Sequence, residues 1–340
     1  MPSNAGRSTL ATIAASAGVS VATVSKVLNG RTDVAPATRS LVQSLLQEHG
    51  YVARRSRRAR AAAPATVEVE VASDLCAYSA QIIQGMIEAG AESGAAVVVT
   101  SPAVMADGGA SWVRGLVDAG RRALITFGSE PAPAQLAALS RARLPVVVID
   151  PMNLPDTPVT SVGSTNFAGG LSATRHLLDL GHRRIAYLGG IAGAASNQAR
   201  MHGYRAAMEA AGIPVPAEYV RASGFCYPDG ETGGAALLDL PLPPTAIFAV
   251  SDESALGAIQ AARARGLRVP EDLSVVGFDD TEIAVMTSPQ LTTVRQPLRE
   301  MGGVALRTAL RLAAGEKIES RHIELATELI VRGSSRAAGP

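Results

Sequence analysis

The sequence predicts a small all-α head followed by an α/β core made of two parallel-sheet lobes. Three observations carry this. Residues 1–64 hold nine basic and two acidic side chains, a local +7 in a chain whose total is +1. Two short amphipathic segments joined by a glycine-containing turn open the chain. From Val67 on, strand-length apolar runs alternate with helical stretches, which is the pattern of a parallel sheet covered on both faces. At 340 residues the chain exceeds one ordinary core, so more than one domain is expected.

In the head, Leu10, Ile13, Ala14 and Ala17 fall on one helical face, with Thr9 placed to cap it. Gly18–Ser20 then turn the chain. The stretch GVSVATVSKVLNG, residues 18–30, repeats Val21, Val24, Val27 and Leu28 along one face. Ser20 is a suitable N-cap and Gly30 a suitable stop. A third helix starts at Pro36, is apolar along Leu41, Leu45 and Leu46, and ends near Gly50. Two short helices across a tight turn make a helix-turn-helix, whose second helix enters the DNA major groove. Val21, Ala22 and Lys26 are then the candidates for base edges, Lys26 through guanine or phosphate. Ser20, Thr23, Ser25 and Asn29 are candidates for phosphate contacts. A protein-binding helical bundle is the alternative, disfavoured by the +7 charge.

In the core, strands are expected at Val67–Val71, Ala96–Thr100, Ala123–Phe127, Val146–Asp150, Arg184–Leu188, Ala246–Ser251 and Ser274–Phe278. Helices are expected at Ala80–Gly90, Gly169–Leu180, Asn197–Ala210, Ser254–Arg265 and Met301–Leu312. The series suffices for two sheets in succession, a two-lobed architecture of periplasmic-binding-protein type with a ligand cleft between the lobes. Catalysis finds no support. The glycine-rich LGGIAG at residues 188–193 is not GxGxxG, and no P-loop, GxSxG or metal-ligand spacing occurs. No cofactor, metal or catalytic residue is therefore assigned. Cys76 and Cys226 are expected as reduced thiols. No apolar run reaches membrane-spanning length and no signal-like segment opens the chain, so a cytoplasmic protein is expected.

The segments TLATIAASAGVSVATVSKVLNG and VAPATRSLVQSLLQEHGY closely resemble the head of the lactose/galactose-repressor (LacI/GalR-type) transcription regulators, with similarity to their actinobacterial branch. The core segments LGHRRIAYLGG, ARMHGYRAAMEAAG, PTAIFAVSDESALGAI, RVPEDLSVVGFDD and SPQLTTVRQP extend the resemblance over nearly the whole chain. It implies a homodimer on near-palindromic double-stranded operator DNA, controlled by a small effector between the lobes. A sugar inducer is expected. A purine-type corepressor and a sugar-binding transport protein are the alternatives, the latter opposed by the basic head. The implied layout is a head at 1–52, a basic hinge at 53–65, a first lobe from 66–163 with 292–321, a second from 164–291 with 322–333, and a tail at 334–340. The hinge reads GYVARRSRRARAAAP. Arg60 stands where the family's hinge carries a leucine that wedges into the minor groove. Arg54, Arg57, Arg58 and Arg60 are thus expected to grip DNA by charge rather than by kinking it.

Sugar recognition needs bidentate polar groups and aromatic faces. With six Tyr, five Phe and one Trp in the chain, aromatics at strand ends stand out: Tyr78, Phe167 and Phe225. The resemblance matches Arg200 to the family's effector-binding arginine and Asp279 to its hydroxyl-binding acid. Asp150 ends a strand, and Ser196 lies one helical turn before Arg200. Asn166, Ser251 and Asp252 complete the candidate set, with Asp252 alternatively a helix cap. Phe127 and Phe278 are expected in the core. Thr165–Asn166 replaces a usual Asp-Asn, and Ser251 a usual Asn, which bears on hydroxyl specificity.

Overall fold

A computed structural model describes residues 10–28, 34–48, 64–71, 75–101, 109–128, 131–152 and 159–339. The chain divides into two compact units, residues 1–64 and 65–340.

The first unit contains α1 (Leu10–Ala17), α2 (Val21–Leu28) and α3 (Pro36–Glu48). Ile13, Ala14, Val24, Val27, Val34, Val42 and Leu46 form its core. Thr23 donates its backbone N–H to Ser20 Oγ at 3.1 Å, so Ser20 caps α2 as its position demands. Two apolar expectations are corrected. Val21 is 46% exposed at the first residue of α2, so the buried stripe is Val24 and Val27, and Val21 is left open as its base-edge reading expects. Leu41 is 48% exposed, and Val42 takes its place. The spacing Val42, Leu45, Leu46 follows a helical face, whereas Leu41 lies one residue, about 100°, off it.

The second unit holds two six-stranded sheets. The first runs through β1 (Ala65–Val71), α4 (Ala77–Ser93), β2 (Ala95–Thr100), α5 (Ala110–Asp118), β3 (Arg121–Phe127), α6 (Pro133–Arg141), β4 (Val146–Ile149) and β5 (Thr160–Ser164). The chain then crosses into α7 (Asn166–Asp179), β6 (Ile185–Leu188), α8 (Ala195–Ala210), β7 (Val220–Arg221), α9 (Tyr227–Leu238), β8 (Ala246–Ala249), α10 (Asp252–Ala264), β9 (Ser274–Asp279), α11 (Glu282–Met286) and β10 (Thr292–Arg295). It returns for α12 (Leu298–Ala313) and β11 (His322–Leu325), and crosses last to β12 (Glu328–Ile330). Sheet orders are β11-β5-β4-β3-β1-β2 and β12-β10-β9-β8-β6-β7. All pairs are parallel except β10–β12. The two lobes repeat one doubly wound order, which places a ligand site beyond the carboxyl ends of the strands.

The expected lobe boundaries need correction. β10 hydrogen-bonds to β9 in the second sheet and β11 to β5 in the first. The segment 292–295 therefore belongs to the second lobe and 322–325 to the first. Both strands are only four residues long, and β10 is rich in Thr, so neither stands out by apolarity. The crossings lie after Ser164, after Arg295 and between Leu325 and Glu328. Strand β5 and helices α5, α6, α9 and α11 were also not anticipated from the sequence.

Helices α7 and α8 pack backbone to backbone. A Cβ on Gly170 would overlap the Arg200 carbonyl, and one on Gly203 the Phe167 carbonyl. Both glycines are there for this contact. Gly203→Ala is expected to cost about 1–3 kcal/mol by overpacking, read as a lowered urea midpoint with an unchanged slope.

Candidate functional site

In the head, Ser20, Ala22 and Lys26 are exposed with Val21, while Thr23 is half-buried. Ser20, Val21, Ala22 and Thr23 lie at or beside the first turn of α2, and Lys26 in its last. Ser25 lies within α2. Asn29, Arg54, Arg57, Arg58 and Arg60 fall outside the described residues.

In the core, the candidates gather where strands of the two lobes end. Arg200 projects from α8 and is only 2% exposed. Its Nε donates to Asn166 Oδ1 at 2.8 Å, and its Nη1 to the Val250 carbonyl at 2.6 Å. The guanidinium lies 3.7 Å over the Phe278 ring, a cation–π contact strengthened by burial. Phe278 is thus core, as expected, and also the floor beneath Arg200. Nη1 is 3.8 Å from Asp279 Oδ1.

Asp279 ends β9 with φ of 112°, in the region that favours glycine. Such strain is characteristic of sites that aim a side chain. Burial pushes its carboxyl well above the usual carboxylate range. Arg200 pulls it back, and the like charges of Asp252 and Asp150 raise it further. On the first lobe, Tyr78 Oη donates to Asp150 Oδ2 at 2.5 Å. Burial raises both groups, the Tyr78 hydroxyl further by the Asp150 charge beside it. Tyr78 also senses the charges of Asp279 and Arg200, candidates on the other lobe.

LGGIAG is a cleft loop seated by Asn197. That side chain accepts from Gly190 N at 2.9 Å and donates to the Ile191 carbonyl at 3.2 Å. Gly190 leaves room for the Phe225 ring, which a Cβ would meet at 2.7 Å. Ser251 Oγ donates to the Phe225 carbonyl at 2.6 Å and caps α10 by accepting from Ser254 N at 3.0 Å. Ser251 therefore positions Phe225 and the helix, with its hydroxyl already committed. Ser196 is half-buried in the first turn of α8, and Phe167 is 47% exposed at the start of α7.

Asp252 does not open to the cleft. It is fully buried, with Oδ2 accepting from Thr281 N and Oγ1 at 2.7 and 3.0 Å, and Oδ1 accepting from Thr293 Oγ1 at 2.5 Å. Its role is to tie α10 to β10 and to the turn after Asp279, and Ser251, not Asp252, is the cap. Sequence reasoning did not single out Ser164 or Gln296. Gln296 Nε2 donates to Asp279 Oδ1 at 2.6 Å, and Ser164 Oγ donates to Gln296 Oε1 at 2.6 Å. One sequence gives no signal that separates such an amide from a surface glutamine.

Residues 174–335 match the family described as periplasmic binding protein-like domain, and residues 9–53 match bacterial regulatory proteins, lacI family. The HTH-type transcriptional regulator CelR of Thermobifida fusca is 35% identical over 337 residues, covering 96% of this chain and 98% of that protein. The chain belongs to the lacI family of bacterial regulatory proteins. The HTH-type transcriptional repressor CytR of Escherichia coli (strain K12) is 31% identical over 97% of this chain and 96% of its own. Among solved structures, the complex of the regulator CelR with cellobiose superposes with a TM-score of 0.72 at 32% identity, covering 96% of this chain and all of that one. The Lac repressor dimer bound to operator and the anti-inducer ONPF gives 0.73 at 28% identity, covering 98% of this chain and all of that one. The protein is accordingly a LacI-family transcription regulator with a DNA-binding head. Among the described residues, no helix is long and apolar enough to cross a membrane.

Proposed function

We propose that the protein is a homodimeric repressor that binds a near-palindromic operator through α2 and its arginine-rich hinge, and that a neutral sugar in the cleft releases it. The observation that carries the effector class is the charge set of the cleft. Among the described residues, Arg200 is the guanidinium beside Asp279 and within the field of Asp150, and it is already engaged by Asn166 and Val250. Such a site offers carboxyl oxygens that pair with hydroxyls. Phe225, Phe167 and Tyr78 supply faces for the apolar side of a sugar ring. The CelR structure with cellobiose supports a plant-derived oligosaccharide of this kind.

The experiment is thermal unfolding of the full chain with cellobiose, other plant oligosaccharides, pentoses, hexoses and purines. A ligand at a hundred times its Kd stabilises by about 2.7 kcal/mol. A sugar is expected to shift the transition in the wild type and not in Asp279→Ala, and to lower operator affinity. A purine hit, or a sugar that tightens DNA binding, overturns the inducer reading. In the head, Lys26→Ala is expected to weaken operator binding by about 1–3 kcal/mol if it reads a base. If Lys26 only meets phosphate, the loss is uniform over sequences and the salt slope falls by about one.

A further inference from the structure

The polar groups of the cleft form a closed circuit that passes through two of the crossings between lobes. Arg200 Nε donates to Asn166 Oδ1, and Asn166 Nδ2 donates to the Ser164 carbonyl at 3.1 Å. Ser164 Oγ donates to Gln296 Oε1, and Gln296 Nε2 donates to Asp279 Oδ1. The Arg200–Asp279 ion pair closes the ring. Ser164 ends β5 at the first crossing between lobes, and Gln296 follows β10 at the second. The neighbouring Thr165 is bound to Thr327 at the third crossing, with the hydroxyls 3.0 Å apart and Thr327 N donating to Thr165 Oγ1 at 3.0 Å. Ser164 and Gln296 are 1% and 3% exposed, so water does not substitute for these bonds.

A side-chain amide is suited to this place because it accepts on one side and donates on the other. Leucine fills similar space and does neither. Gln296 spans from the carboxylate of the second lobe to the strand leaving the first. Its backbone N–H also bonds the Asp279 carbonyl at 3.2 Å, so the two residues move together. Asp280 holds the preceding residue, Arg295, at 2.7 Å. Consecutive acids thus grip consecutive crossing residues.

We propose that Gln296 is a positioning residue that couples occupancy of Asp279 to the arrangement of the lobes, with Ser164 as its counterpart on the neighbouring crossing. The inference rests on the effector-cleft reading above. A ligand hydroxyl that bonds Asp279 draws on the carboxylate that orients Gln296, so the amide and the Ser164 strand adjust with it. Differential interaction with two lobe arrangements is what an allosteric ligand requires.

The test is interlobe distance by pulsed electron spin resonance on the full chain, with nitroxides at Ala137→Cys and Glu209→Cys. These positions are exposed on α6 and α8. Cys76 and Cys226 are replaced by serine, and labelled protein is diluted with unlabelled. Wild type, Gln296→Leu and Ser164→Ala are compared without sugar and at saturating cellobiose. The wild type is expected to give one narrow distribution that shifts with cellobiose. Both variants are expected to give broader sugar-free distributions, and the shift is expected to fall below about half. Loss of packing alone lowers the melting temperature and leaves the distances unchanged. Distributions and shifts equal to wild type in both variants overturn the proposal. If cellobiose leaves the wild type unbound and unshifted, that effector fails, and the sugar-free distributions alone decide the crossing circuit. If Gln296→Leu does not fold, Ser164→Ala decides it.

Discussion

Arg200→Ala is expected to abolish effector binding and to destabilise the protein by about 3–5 kcal/mol at neutral pH, the range for stranding a buried charge partner. The guanidinium is 2% exposed and has four attachments: Asn166, the Val250 carbonyl, the Phe278 ring and Asp279. Truncation leaves the Val250 carbonyl and Asn166 Oδ1 without this donor, and removes the cation that moderates Asp279 and Asp150. The loss depends on pH with a definite sign. Burial already holds the Asp279 carboxyl above its ordinary value, and removing Arg200 raises it further. A carboxyl with a raised folded pKa keeps its proton longer in the folded state than in the unfolded chain. Stability therefore falls as pH rises from the unfolded pKa to the folded one. The variant's window reaches higher, so its deficit against wild type is smallest in acid and grows with pH. Urea unfolding at several pH values reads this directly. A deficit independent of pH places the loss in packing and hydrogen bonds rather than in the Asp279 and Asp150 charges.

The division of labour between sequence and structure follows from what each residue must do. α2 was legible because its cap, its apolar stripe and its exposed polar face are local properties, and the same holds for the apolar central strands β1, β3, β4, β6, β8 and β9. The short strands β5, β10, β11 and β12 were not. TSVGS and TTVR carry too few apolar residues to signal burial, and their partners lie far away in the chain. Misplacing β10 and β11 moved two of the three crossings, although both lobes were anticipated. In the cleft, Arg200 and Asp279 could be named from the segments around them, whereas the hydrogen bonds of Gln296 and Ser164 depend on three crossings converging. Asp252 shows the limit most plainly. An acid before a helix reads equally as a cap or as a ligand contact, and the fold uses it as neither.

Asp252→Ala is expected to cost about 3 kcal/mol. Three donors lose their acceptor in a dry interior, and an unsatisfied buried donor costs about 1–3 kcal/mol. The Thr293 and Thr281 hydroxyls can rotate towards other acceptors, but the Thr281 N–H is fixed by its backbone. Thr281 follows Asp279 and Asp280 directly, so loosening it also loosens Asp279, the carboxyl proposed to meet the effector. A weaker sugar affinity is expected alongside the lower urea midpoint. Asp252→Asn separates charge from shape. Burial pushes the Asp252 carboxyl up to about 7, against the Thr293 and Thr281 bonds that lower it. Wild-type stability is therefore expected to decline as pH rises from about 4 towards about 7 through this group, then level off. The amide keeps an acceptor for Thr281 N and does not titrate, its N–H₂ turning to the Thr293 hydroxyl. Relative to wild type, Asp252→Asn should gain stability steadily across that interval and hold the gain above it. Equal pH dependence in the two proteins means that Asp252 stays charged throughout, fully compensated by its three donors, and that the carboxylate is retained for those bonds alone.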